Sequence, residues 1–196
     1  MTESAVPAVR QVFAIIGILA IIAFIAIGAA LIFGWFNVGA SARYATPVSA
    51  LLQTAMQRSV RAHSRSVLLP KGIDLRDPAL AAQAADDYRE MCLLCHGAPG
   101  QKAAFWTVGL YPAAPRLSDR RELRWSDADL YWIIKNGVKD TAMSAFGATH
   151  EEKELWALAA LTRQLPTMTA QQFGALGPKS GSERADPEDH GHIHAH

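Results

Sequence analysis

Two cysteines stand two residues apart, and a histidine follows the second directly, in the run Tyr88-Arg89-Glu90-Met91-Cys92-Leu93-Leu94-Cys95-His96-Gly97. Cys-x-x-Cys-His is the spacing that attaches a c-type haem. It lets both sulfurs reach vinyl-derived carbons of one porphyrin and leaves the adjacent imidazole aimed at the iron. The spacing predicts one covalently attached haem c, with Cys92 and Cys95 as thioether anchors and His96 as an axial ligand. Other uses of the pair fit worse. A zinc site needs about four ligands, commonly with a second Cys/His pair, and the chain has no further cysteine. A thioredoxin-type pair belongs beside a βαβ pattern, and no strand-rich stretch is legible. A disulfide across two residues leaves His96 without a role.

A six-coordinate haem needs a second ligand opposite His96. The methionines are Met1, Met56, Met91, Met143 and Met168. Met1 precedes a membrane-length segment, Met91 is tied to the proximal side by Cys92, and Met56 lies on an apolar helix stripe. Met168 follows the last helix read from the pattern. Met143 alone occupies a glycine-bounded loop between two helices, and Met/His ligation raises a haem potential. Met143 is therefore the expected distal ligand, with His150 as the alternative. His63, at a basic helix end, reads as a solvated side chain. At the other end of the chain His190, His192, His194 and His196 alternate with other residues. An extended strand puts these imidazoles on one side, so the tract is either a divalent-metal site of its own or a solvated tail.

The elements that must position these residues read as all-α. Val12–Phe36 carries no charge and is long enough as a helix to cross a hydrocarbon core of about 30 Å. It predicts an uncleaved anchor, with Trp35 and Phe36 at the interface. Val38-Gly39-Ala40 supplies a second reading as a signal cleavage site. Ala26, Ala30 and Gly34 form a small-residue stripe that allows another membrane helix to approach. Pro47 opens an amphipathic helix to about Arg65, with Val48, Leu51, Leu52, Ala55, Met56 and Val60 as one apolar face, which suits either the membrane surface or packing on the haem domain. Leu69-Pro70 and Asp77-Pro78 punctuate a spacer. A helix from Ala79 to about Leu94 delivers the cysteines, and Gly97-Ala98-Pro99-Gly100 breaks it. Residues 98–124 read as irregular chain. Ser126 caps a helix to Asn136 that stops at Gly137, and Thr149 with Glu152 forms a capping box for a last helix ending before Pro166.

The boundaries expected are a cytoplasmic N-terminus over 1–11, an anchor over 12–36, and a membrane-proximal helix and linker over 37–78. A haem domain over 79–166 and a polar His-rich tail over 167–196 complete the chain. A formal charge of +1 lacks the basic surplus of a nucleic-acid binder, so no nucleic-acid partner is expected. The expected partners are the lipid bilayer and redox proteins.

Tyr88 four residues before Cys92, Cys-x-x-Cys-His-Gly, Pro115-Arg116-Leu117, Trp132-Ile133-Ile134-Lys135-Asn136-Gly137, Met143 before Phe146-Gly147, and Leu155-Trp156 together carry a resemblance. Over about residues 79–166 the chain resembles a small monohaem c-type cytochrome of the mitochondrial-cytochrome-c-like group, in a bacterial membrane-anchored form. The resemblance implies three to four helices around one haem and a Pro115 carbonyl bonded to the second nitrogen of His96. It also implies that the cysteine-bearing helix crosses the last helix near Tyr88 and Trp156. In that group the ligand methionine is commonly followed by proline; here Ser144 follows Met143, which implies a less rigid loop. The function expected is a single-electron carrier tethered to the inner membrane by one pass, N-terminus inside and haem domain in the periplasm. An integral cytochrome subunit of a larger dehydrogenase or oxidase complex is the alternative, and a haem-based gas sensor a third reading.

Overall fold

A computed structural model describes residues 5–35, 37–120 and 124–176. The histidine tract at 190–196 and Phe36 lie outside the described residues. The regular elements among the described residues are all helical, and the chain divides into two units, Met1–Arg43 and Tyr44–His196.

The first unit is helix α1, Ala5–Ile32. Its stretch Val9–Ile32 is long and apolar enough to cross a membrane, and none of it is buried. It stops earlier than the uncharged run suggests. Gly34 N–H donates to Leu31 O and Trp35 N–H to Ala30 O, the paired bonds that close a helix over a glycine. Gly34 is thus the stop signal of α1 and not part of a small-residue stripe, which keeps only Ala26 and Ala30 within the helix.

In the second unit α2 spans Thr46–His63, with Pro47 in its first turn, where a missing N–H costs nothing. A short turn, Ser64–Ser66, follows. The helix carries two apolar stripes where the sequence suggested one. Met56 is half-buried and Val60 and Ser64 are buried, whereas Val48, Leu51 and Leu52 face solvent. Ser64 Oγ donates to Asp129 Oδ1 at 2.5 Å, which fastens this end of α2 to a later helix. Nor is 67–78 a spacer: Leu75 is 2% exposed, and Gln164 Nε2 donates to Leu75 O at 2.9 Å and to Asp77 O at 3.1 Å.

The helix expected over 79–94 is segmented. It comprises α3, Pro78–Gln83, capped by Asp77 accepting from Ala79 N–H; α4, Ala85–Asp87; a wider π turn, Tyr88–Cys92; and α5, Leu93–His96. A single π turn of this kind inserts one residue into a helix and re-aims the residues beyond it, often at functional positions. Here the turn carries Cys92. Next come α6, Asp127–Asn136, and α7, Glu152–Gln164. Ser126 caps α6 as its sequence implies: its hydroxyl accepts from Asp129 N–H, and Asp129 Oδ2 accepts from Ser126 N–H at 2.9 Å. The cap of α7 differs from expectation. Thr149 Oγ1 is engaged locally with Phe146 O and His150 Nδ1, and the boundary falls at Glu151, whose N–H donates to Glu154 Oε2 at 2.9 Å.

Every residue of α7 from Leu155 to Thr162 is buried, because α3, α4 and α6 all pack on it. Fully buried Ala81, Ala84, Ala159 and Ala160 keep those packed faces small. Trp156 stacks on Tyr131 with ring centres 4.1 Å apart, a pairing worth about 1 kcal/mol beyond its burial. The polar tail begins later than Pro166. Helix α8, Ala170–Ala175, is capped by Thr169 with Gln172, and Phe173 is fully buried with its ring edge-on to Tyr88 at 5.9 Å.

Candidate haem-binding site

Cys92, Cys95 and His96 are half-buried at the end of the segmented helix. Tyr88, fully buried, donates its hydroxyl to Gly97 O at 2.7 Å, so the turn that follows His96 is held from inside the core. Gly97 has φ 63° and ψ −170°, a region open essentially to glycine alone. A Cβ there would meet Gln101 O at 2.8 Å and Ala103 N at 3.1 Å. Helix α8 braces the same segment from outside: a Cβ on Gly100 would lie 2.5 Å from Ala170 Cβ. Arg89 donates to Phe173 O in α8 and to Leu176 O just past its end, and pairs with Asp86 at 3.2 Å.

The donor set suits a c-type haem. His96 Nδ1 lies 2.8 Å from Pro115 O. A carbonyl oxygen only accepts, so the proton sits on Nδ1 and Nε2 keeps its lone pair for a metal. Burial lowers the His96 pKa, partly offset by the Pro115 bond, which favours the neutral, ligating imidazole. Burial, followed by the nearby Asp87 and Cys95, pushes the Cys92 thiol up to about 12. A thioredoxin-like redox cysteine has the opposite shift, so Cys92 lacks the character of a disulfide-exchange thiol.

Met143 is half-buried in a loop fastened at both ends of a short span. Val138 N–H donates to Met143 O at 3.1 Å. Thr141 Oγ1 donates to Val138 O at 2.7 Å and accepts from Met143 N–H at 3.1 Å. The hydroxyl two residues before the methionine thus stitches the loop where a following proline is lacking; a threonine at that offset is a recognisable turn signal. Gly137, with φ 66° and ψ −169°, repeats the Gly97 conformation and lies against the same loop.

The remaining candidates have other surroundings. His63 is exposed at the end of α2, its Nδ1 2.8 Å from Ser59 O and its ring 5.7 Å from that of Trp132. His150 is half-buried, edge-on to Phe146 at 5.8 Å, and with Met91 it lines a hollow of about 360 Å³ whose other walls include Asp87, Glu90 and Glu154. Met168 packs against the core. Among the described residues no group of three or more His, Cys, Asp or Glu side chains is arranged to hold a metal ion.

A helical core crossed by the segment that carries Cys-x-x-Cys-His, with the histidine tethered through Nδ1, defines a c-type cytochrome domain. Residues 79–161 match the family model described as Cytochrome C oxidase, cbb3-type, subunit III, and over that span the chain is a cytochrome c domain, a class that binds haem c and transfers electrons. No curated protein matches the chain. The folded unit extends beyond the matched span on both sides, through α2 and Leu75 before it and α8 after it.

Proposed function

We propose that the chain is a membrane-tethered monohaem cytochrome that passes single electrons between redox partners at the periplasmic face of the inner membrane. Helix α1 is its anchor, with the N-terminus inside. Cys92 and Cys95 would hold one haem through thioether bonds, and His96 Nε2 and the Met143 sulfur would ligate its iron. The observation that carries this reading is the Pro115 tether on His96 Nδ1 at 2.8 Å, set directly beside the paired thiols. When bound, haem c supplies a reversible one-electron couple, and Met/His ligation biases it toward high potential. The chain's own part is to orient the imidazole and to hold Met143 by Thr141 and Gly137. Exposed Lys135 and Lys139 favour an acidic partner surface, and a salt-independent electron-transfer rate removes that role.

The test is a set of visible spectra of the haem-loaded protein, oxidised and reduced, with and without carbon monoxide, beside Met143→Ala. A sulfur-to-ferric-iron charge-transfer band that the variant lacks, with no carbon monoxide shift in the native protein, supports a closed His96/Met143 pair. Ready carbon monoxide binding by the native protein overturns it in favour of a gas-binding role. A second reading is favoured by the description of the matching family, an oxidase subunit: the chain is an integral cytochrome subunit of a larger membrane complex. Co-purification of other haem or flavin subunits in mild detergent distinguishes it from a free carrier.

A further inference from the structure

Helix α2 carries an apolar stripe that the domain does not use. Val48, Leu51 and Leu52 are 44%, 68% and 50% exposed, and exposed Ala55 continues their spacing. At 100° per residue this stripe lies roughly a third of a turn from the one formed by Met56, Val60 and Ser64, which packs on the domain. Two faces of one helix are therefore apolar, and only one has a protein neighbour among the described residues.

The charge beside the exposed stripe indicates what covers it. Arg58 and Arg65 fall on its flank and are exposed, and no acidic residue occurs anywhere between Glu3 and Asp74. An apolar stripe bordered by cations is the pattern of a helix lying in a membrane surface with anionic headgroups. The connection is also short. Only residues 33–45 separate the end of α1 from the start of α2, a stretch that reaches at most about 50 Å when fully extended.

We propose that α2 lies in the headgroup layer of the bilayer that α1 crosses, with Val48, Leu51 and Leu52 turned into the acyl boundary and Arg58 and Arg65 on anionic phosphates. This rests on the reading of α1 as the membrane anchor. The consequence is a haem domain that lies against the surface, because α2 is bonded to α6 through Ser64 and Asp129. Partners then approach it laterally or from above.

The experiment uses the full haem-loaded chain in vesicles of zwitterionic lipid with and without anionic phospholipid. A fluorophore is placed by Leu51→Cys, by Gln83→Cys at an exposed position of α3, or by Phe13→Cys in α1, and nitroxide-bearing lipids are the quenchers. Retention of the native haem spectrum shows that each variant is folded. Expected is quenching at position 51 about threefold that at position 83, falling toward the latter in Arg58→Glu/Arg65→Glu or without anionic lipid. Strong quenching at position 13 with position 51 no different from 83 overturns the proposal and leaves the anchor intact. Failure at position 13 as well removes the anchor reading. A label at position 51 shielded from aqueous iodide in vesicles but not quenched by the nitroxide lipids also overturns it, since a second copy or another protein then covers the stripe.

Discussion

Replacing Gly137 with alanine is expected to release Met143. At φ 66° and ψ −169° any residue with a side chain is strained by about 1–3 kcal/mol. The added Cβ falls 2.5 Å from Met143 O, 2.7 Å from Ser144 C and 2.9 Å from Ala145 N. All three are backbone atoms, so no flexible side chain absorbs the contact and the loop itself must withdraw. Withdrawal breaks the Val138 N–H bond to Met143 O, 3.1 Å long, which contributes about 1 kcal/mol. Strain and lost bond together come to about 2–4 kcal/mol, a rise of about 10²-fold in the population with the methionine detached. The assay is the sulfur-to-iron charge-transfer band and carbon monoxide binding of the haem-loaded variant. Gly109→Ala is the control, because nothing lies within 4 Å of a Cβ at that position. Gly137→Ala should lose most of the band and bind carbon monoxide, while Gly109→Ala matches the native protein. An intact band in Gly137→Ala, with a melting temperature within about 1 °C of native, refutes the idea that this glycine positions Met143.

Asp129→Asn removes a charged acceptor from Ser64 and weakens the α6 cap, and should lower stability by about 1.5–3 kcal/mol near pH 7 in denaturant titration. Burial opposes ionisation of Asp129, but hydrogen bonds from Ser64 and Ser126 and the charge of Arg61 hold its folded pKa below the ordinary 3.8; the carboxylate's contribution is therefore full above that value and lost as pH falls through the folded one, so the deficit of the variant shrinks below about pH 4. Tyr88→Phe leaves Gly97 O without its 2.7 Å donor and should cost about 1–2 kcal/mol with the haem still attached, read by thermal melting followed in the Soret band. Phe173→Ala empties a fully buried site and should cost about 3–5 kcal/mol; melting unchanged from native would return residues 167–176 to the tail.

The haem motif was legible because covalent attachment demands its residues side by side, and no tertiary information is needed to see it. Ser126 and Gly137 were legible for a related reason, since a helix end is satisfied by groups three or four residues away. What the sequence obscured was competition for those groups. Thr149 has the right offset to cap α7, but its hydroxyl is held by the preceding turn, so Glu151 takes the boundary. Helix α8 has a Thr169/Gln172 cap and one large apolar residue, Phe173, too few signals to stand out from a polar tail. Leu75 is likewise a single apolar anchor in a stretch punctuated by turns. In α2 the residues Val48 through Val60 read as one amphipathic face, because spacings of three and four are shared by two stripes. Only the partner helix separates the stripe that ends at Ser64 from the one left to solvent.

The two expected iron ligands are held by the same backbone device. His96 immediately precedes Gly97, and Met143 O lies against Gly137; the glycines differ by only 3° in φ and 1° in ψ (63° against 66°, −170° against −169°). Each comes directly after a helix and turns the chain so closely on itself that a single methyl group would collide with main-chain atoms. The backbone around His96 and Met143 is therefore set by where α5 and α6 end. In the Met143 loop, Thr141 supplies hydrogen bonds where Ser144 stands in place of proline. Proline would stiffen the residue after the ligand, whereas Thr141 bonds to Val138 O and Met143 N–H and Gly137 closes the contact from below. On the proximal side the Tyr88 hydroxyl performs the corresponding task by holding Gly97 O. Both ligand turns are in this way referred back to the buried junction of α3, α6 and α7, where Tyr131, Trp156 and the alanines leave little room to move.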